Sequence, residues 1–124
     1  MFIAVDFDGT CVTHEFPYIG KDIGAVPVLK ELADRKHKLI LYTIRSGETL
    51  EEAKKWFEEN GIPLFGANSN PIQWRFSKSK KIYANLYIDD SSVGCPLIYN
   101  EEMSNKPYAD WERIRVLLNE QGVI

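Results

Sequence analysis

Cysteine and histidine are scarce in this sequence, two of each in 124 residues, and each scarcity removes a class of chemistry. Two cysteines cannot build a disulfide framework, and the opening "MFIAVDFDG" has neither the basic start nor the longer apolar core of a secretory leader. Cys11 and Cys95 are therefore expected as free thiols in a cytoplasmic protein. Neither is followed by an arginine at the loop spacing that would cradle a phosphate, so cysteine-based phosphatase chemistry has no support. His14 and His37 have no evident partner at a strand end and are expected in surface or core roles. No apolar run approaches the roughly 20 residues needed to cross a bilayer. Basic residues are in deficit, 15 against 18 acidic, and a formal charge of −3 gives no general attraction to nucleic acid or an anionic membrane. Repeats and low-complexity segments are missing as well. What remains is room for one domain, residues 1–124, with a real core and no second unit.

The rest of the chain alternates short apolar runs with amphipathic stretches. "FIAVDF" (Phe2 to Phe7) and "KLILYT" (Lys38 to Thr43) read as buried parallel strands, with shorter ones near Leu64 to Ala67, at Asn85 to Asp89 and in "PLIYN". A helix is expected from about Pro27, where Val28, Leu29, Leu32 and Ala33 form one stripe. "ETLEEAKKWFEENG" places Leu50, Ala53, Trp56 and Phe57 on one face and stops at Gly61. A last helix is expected from about Pro107 to Gln121. Strands alternating with helices predict an α/β, Rossmann-like parallel sheet with helices on both faces, a three-layer arrangement.

In such sheets ligands bind beyond the carboxyl ends of the strands. The polar residues that end the strands are Asp6, Asp8, Thr43, Asp89 and Asp90. Like charges brought this close raise one another's pKa, and a hard divalent ion such as Mg²⁺ relieves the conflict. A carboxylate beside a bound cation can also serve as a nucleophile. Asp8, two residues from Asp6, is placed to give and take a proton. Gly9 permits a tight turn whose backbone amides could face an anion, and Arg45 is a candidate substrate contact or a surface ion pair.

"DFDGT", "LILYT" ending in Thr43, and "YIDD" resemble, in this order, the first, second and fourth motifs of the haloacid dehalogenase-like (HAD) hydrolases. "LYTIR", "KIYANLYIDD" and "EEAKKWFEENG" are similar to segments of small HAD proteins without a cap domain. The resemblance spans about the first three quarters of the chain. It implies a Mg²⁺-dependent phosphatase that hydrolyses a phosphate monoester through an aspartyl-phosphate, with Asp6 as nucleophile and Asp8 as acid and base. Thr43 would bind phosphoryl oxygens and a lysine would neutralise them. Lys81 is the expected lysine, with Lys78 and Lys80 as alternatives. Asp89 and Asp90 would complete the Mg²⁺ site with Asp6 and the carbonyl of Asp8. Ser91 stands where members of that group often carry a basic residue.

Other readings stay open at this point. A phosphoreceiver shares the residue types but places its acidic pair first and a lone aspartate later, the reverse of this order. A phosphate-binding or partner-binding module without turnover, and a nucleotide or polynucleotide phosphatase, are further alternatives. With no room for an inserted cap, the resemblance associates the open site with a macromolecular phosphoester or with a cover lent by a second copy, while a small metabolite remains open. The segment from Val12 to Gly24, with Phe16, Tyr18, Gly20 and Gly24, is expected to be either a hinged flap or a fixed loop. Trp74, Arg75 and Phe76 are expected to pack onto the core, the alternative being to stack on a base.

Overall fold

A computed structural model describes all 124 residues. Four strands, β1 (Phe2–Val5), β2 (Lys38–Leu41), β3 (Gly66–Ala67) and β4 (Leu86–Ile88), form one parallel sheet in the order β3-β2-β1-β4. The helices are α1 (Ala25–Asp34), α2 (Gly47–Glu59) and α3 (Trp111–Glu120). A two-stranded antiparallel ribbon, β5 (Leu97–Ile98) and β6 (Tyr108–Ala109), lies between β4 and α3 in the chain. The architecture is α/β and Rossmann-like. No helix is long and apolar enough to cross a membrane.

The register decides which face carries the core. Ile3 pairs with Leu39 and Leu86, and Val5 with Leu41 and Ile88, so these six side chains share one face. Val28, Leu29 and Leu32 of α1, Ala53 and Phe57 of α2, and Trp111, Ile114 and Leu118 of α3 join them in one contiguous buried cluster. All three α-helices therefore cover the same face, and the expected helices on both faces are not found. The opposite face, with Phe2, Ala4, Ile40 and Tyr87, is covered by the connection from β3 to β4, which contains a single 3₁₀ turn at Gln73–Arg75. The buried Gln73 holds that connection together, donating to the carbonyls of Ser79 (3.3 Å) and Lys81 (2.7 Å) and accepting from the Tyr83 amide (2.9 Å). Trp74 and Phe76, expected to pack inward, are instead 73% and 61% exposed. A polar glutamine, not the neighbouring rings, anchors this segment.

Several boundaries shift for local reasons. Helix α1 begins at Ala25, and Pro27 falls in its first turn, where a missing N–H costs nothing. Helix α3 does not begin at Pro107. Asp110 caps it by accepting from the Arg113 amide at 3.1 Å, while Pro107 leads into β6. "PLIYN" contributes β5, which pairs with β6 rather than with the main sheet.

Trp111 connects this packing to the end of β1. Its indole N–H donates to the Thr10 carbonyl at 2.6 Å, and both residues are buried. Trp111→Phe keeps most of the packing but leaves that carbonyl unpaired. It is expected to destabilise the protein by about 1–3 kcal/mol, measurable by urea unfolding.

Candidate active site

Strand β1 ends at Val5, and the next residues fold into a tight turn. The amides of Thr10 and Cys11 donate to the Phe7 carbonyl, and the Gly9 amide donates to Val12 at 2.8 Å. The Gly9 amide is thus engaged inside the turn, and its expected role toward an anion is not supported. Another constraint makes this residue glycine: φ is +81°, and an added Cβ would lie 2.1 Å from the His14 imidazole and 2.6 Å from the Asp90 carboxylate.

The turn brings Asp6 to the end of β4. Carboxylate oxygens of Asp6, Asp89 and Asp90 lie within 4.8 Å of one another. The buried Thr10 hydroxyl sits between two of them, 2.9 Å from Asp6 and 3.0 Å from Asp90, and accepts the Asp90 amide at 2.9 Å. Its single proton serves one carboxylate at a time. The His14 Nε2 meets Asp90 at 3.0 Å. No lysine or arginine pairs with any of the three acids. Burial first, then the adjoining Asp90 carboxylate and the charge of Asp89, push the Asp6 carboxyl from 3.8 up to about 8, against the opposing hydrogen bonds of Thr10 and Phe7.

Asp8 stands apart from this group. Both of its oxygens are held by Arg45, at 2.8 Å from Nε and 2.7 Å from one Nη. Arg45 is fully buried between the rings of Phe7 and Phe16, and its remaining N–H groups reach the carbonyls of Pro17 (3.2 Å), Tyr18 (2.8 Å) and Thr49 (3.2 Å). All five of its donors are engaged by the protein. Arg45 is neither a substrate contact nor a surface ion pair. It also fixes the loop from Val12 to Gly24, which is further closed by Thr13 and Lys21 (3.1 and 2.9 Å). Gly20 packs against Thr13 there, since a Cβ would stand 2.1 Å from the Thr13 carbonyl. The Asp8 side chain is outside the Asp6–Asp89–Asp90 cluster because Arg45 holds both of its oxygens, so the Asp8 atom left for an ion is the backbone carbonyl that the resemblance implies.

These residues line a cleft of about 590 Å³ with Asp6, Asp8, Asp89 and Asp90 on its floor. Phe16, Tyr42 and Ile44 form apolar walls, and Thr43, His14 and Lys106 complete the lining. The Thr43 hydroxyl accepts from the Arg45 amide at 3.1 Å, leaving its proton free to donate into the cleft, and the amides of Asp8 and Ile44 make no backbone hydrogen bond. Lys81 does not line the cleft; it is exposed, with Nζ 5.8 Å from the centre of the Tyr87 ring. Lys78 and Lys80 line a different cavity. The lysine at the cleft is Lys106, just before β6. Sequence reasoning misses it because no motif marks a hairpin that folds back on the turn, where the Ala109 amide donates to the Gly9 carbonyl at 2.9 Å. Thr10 was visible inside "DFDGT", but its role between two acids was not, and nothing in the sequence pairs His14 with Asp90. The two thiols are free as expected, with Cys11 buried beneath the turn and Cys95 raised to about 11, chiefly by burial.

No protein-family model and no curated protein matches the chain. Among solved structures it is similar to a conserved protein from Bacteroides thetaiotaomicron, 40% identical, with a TM-score of 0.79 over 98% of this chain and 91% of that one. The chain belongs to the same family as that protein. The likeness runs over nearly the whole chain and so includes every strand end that forms the cleft.

Two outcomes follow from the charges. Removing the buried guanidinium in Arg45→Ala leaves Asp8 and three carbonyls unpaired, and is expected to cost about 3–5 kcal/mol in urea unfolding. The raised Asp6 carboxyl favours folding while protonated. That contribution is complete below pH 3.8 and is lost as pH rises through about 8. In chelator, the melting temperature of the wild type should therefore fall relative to Asp6→Asn across this window.

Proposed function

We propose that this protein is a phosphatase that hydrolyses a phosphate monoester with a divalent cation, Mg²⁺ by its oxygen donors, through an aspartyl-phosphate on Asp6. The observation that carries the reading is the meeting of Asp6, Asp89 and Asp90 within 4.8 Å with no lysine or arginine to neutralise them. Three crowded carboxylates form a hard-oxygen donor set, and the raised Asp6 carboxyl expresses the repulsion that a cation would remove. When bound there, the cation would supply positive charge beside the phosphoryl oxygens.

This chain's own groups provide the rest. The Thr43 hydroxyl, the free amides of Asp8 and Ile44, and Lys106 surround the mouth of the cleft with donors suited to a phosphoryl group. An Asp6 oxygen attacks phosphorus, the bond from phosphorus to the leaving oxygen breaks, and that oxygen takes a proton from Asp8, which has first gained one from solvent on the oxygen it frees from Arg45. Water then attacks phosphorus, giving a proton back to Asp8 and releasing inorganic phosphate and the Asp6 carboxylate. Asp8 must leave one of its two bonds to Arg45 to turn toward the leaving group. Among known families this arrangement resembles the HAD hydrolases without a cap.

That same pairing favours a second reading, a phosphate-binding module without turnover, in which Asp8 never leaves Arg45. Hydrolysis decides between them. With Mg²⁺, the wild type is expected to hydrolyse p-nitrophenyl phosphate and alkyl phosphates, and Asp6→Asn to hydrolyse neither. Asp8→Asn should slow alkyl phosphate hydrolysis by about a hundredfold or more, and p-nitrophenyl phosphate less, because that leaving group scarcely needs a proton. Mg²⁺ should raise the melting temperature of the wild type and not that of Asp6→Asn. A wild type that binds phosphate but turns over none of these substrates would establish the module.

A further inference from the structure

We propose that the connection from β3 to β4 is a binding surface for single-stranded polynucleotide, with backbone phosphates between Lys78 and Lys80 and a base stacked on Trp74. The sequence supplies the first observation. From Ile62 to Ile88 the chain contains no aspartate or glutamate but carries Arg75, Lys78, Lys80 and Lys81, in a protein whose formal charge is −3. The stretch is therefore net positive within a chain that is net negative, because its four cations face no acid of their own segment.

The structure makes it a built site. A cavity of about 470 Å³ is lined by Lys78, Lys80, Asn68, Asn70, Ser77 and Trp74, without a carboxylate. Neither lysine is in an ion pair. The loop around it is held in shape from within by Gln73, and the Asn70 amide donates to the Tyr83 carbonyl at 3.1 Å. The rings are displayed, not buried: Trp74 is 73% exposed with the Arg75 guanidinium 5.7 Å from its centre, and Phe76 meets Tyr83 edge-on. A surface of donors, cations and open aromatic faces selects an occupant that repeats negative charge and carries flat rings. A strand with unpaired bases meets both demands, whereas a duplex hides its ring faces from Trp74.

Asn68 joins this cavity to the cleft. It lines the cavity, and its side-chain oxygen accepts the Thr43 amide at 2.8 Å. A strand lying on the cavity can therefore extend its end toward Thr43. That direction rests on the phosphatase reading, since it places a terminal phosphate at Asp6; the hold on the strand does not.

The test uses the full chain carrying Asp6→Asn and a dye-labelled, phosphate-terminated single-stranded DNA oligonucleotide, followed by fluorescence anisotropy. The protein should bind it more tightly than the same sequence as a duplex. Adding Lys78→Ala and Lys80→Ala should weaken binding about tenfold or more and make the logarithmic salt slope shallower by about 1.4. Trp74→Ala should weaken it about tenfold. All three residues are exposed, so equal melting temperatures verify the fold of each variant. The inference is overturned if the oligonucleotide fails to bind at low salt, if its affinity ignores the two lysines, or if a phosphoserine peptide of equal charge binds more tightly. Hydrolysis of p-nitrophenyl phosphate by the wild type is read separately. Its absence beside lysine-dependent oligonucleotide binding removes the phosphatase and leaves this surface standing, and the opposite pair of results does the reverse.

Discussion

The guanidinium of Arg45 holds the carboxyl edge of the sheet together. A single buried cation accounts for four separate attachments: Asp8 in the turn after β1, Pro17 and Tyr18 in the loop that follows, and Thr49 in the first turn of α2. An arginine can do this because its donors are fixed in a plane and stay charged when dry, whereas a lysine would bring one mobile point of charge. The rings of Phe7 and Phe16 close over its faces, 5.0 and 5.2 Å from its central carbon. Phe16 is also a wall of the cleft, so the shape of the cleft mouth and the burial of Arg45 depend on one another.

Arg45 also divides the acids by chemistry. Four carboxylates reach this edge, and a bidentate partner neutralises one of them, leaving the other three to face each other with only Thr10 and His14 between and beside them. A hydroxyl can relieve one carboxylate at a time, and a histidine relieves Asp90 only when it carries a proton. Neither can neutralise three negative charges at once. The site is therefore stable at neutral pH by holding a proton or by gaining a cation, and only the second leaves Asp6 ionised and free to attack.

Much of this was legible in the sequence where chemistry and strand ends coincide. Asp6, Asp89 and Asp90 follow apolar runs directly, and in a parallel sheet such residues meet at one edge whatever the details of the loops. Thr43 was readable in the same way. What could not be read were contacts between segments far apart in sequence. Arg45 follows Thr43 by two residues, and nothing local tells whether its side chain turns outward to a substrate or inward to Asp8. Lys106 and His14 reach the cleft through loops with no periodic pattern to place them. Lys81 looked well placed because it precedes β4 closely, but β4 carries the chain toward the site, so a residue before the strand starts from its other end. For Trp74 and Phe76 the general habit of rings to be buried misleads, because the buried anchor of the segment is the side-chain amide of Gln73, which bonds Ser79, Lys81 and Tyr83.

The distribution of helices explains why that loop has so much surface to offer. Strands β1, β2 and β3 step across the sheet in one direction, and right-handed crossovers then require α1 and α2 to lie on a single face. Helix α3 packs beside α1 on that face, where Arg115 meets Glu31 at 2.8 and 2.9 Å. The return from β3 to β4 is the one connection that must cross the other face, and it does so with three residues of regular helix. A helix there would have buried one side and filled the other with ordinary mixed charge. A loop bound by a buried glutamine instead holds its backbone flat against the sheet and turns its lysines and rings outward. The face without helices thus presents a surface with cations and rings but no acid between Ile62 and Ile88, and it adjoins the acids of the cleft through Asn68 and Thr43.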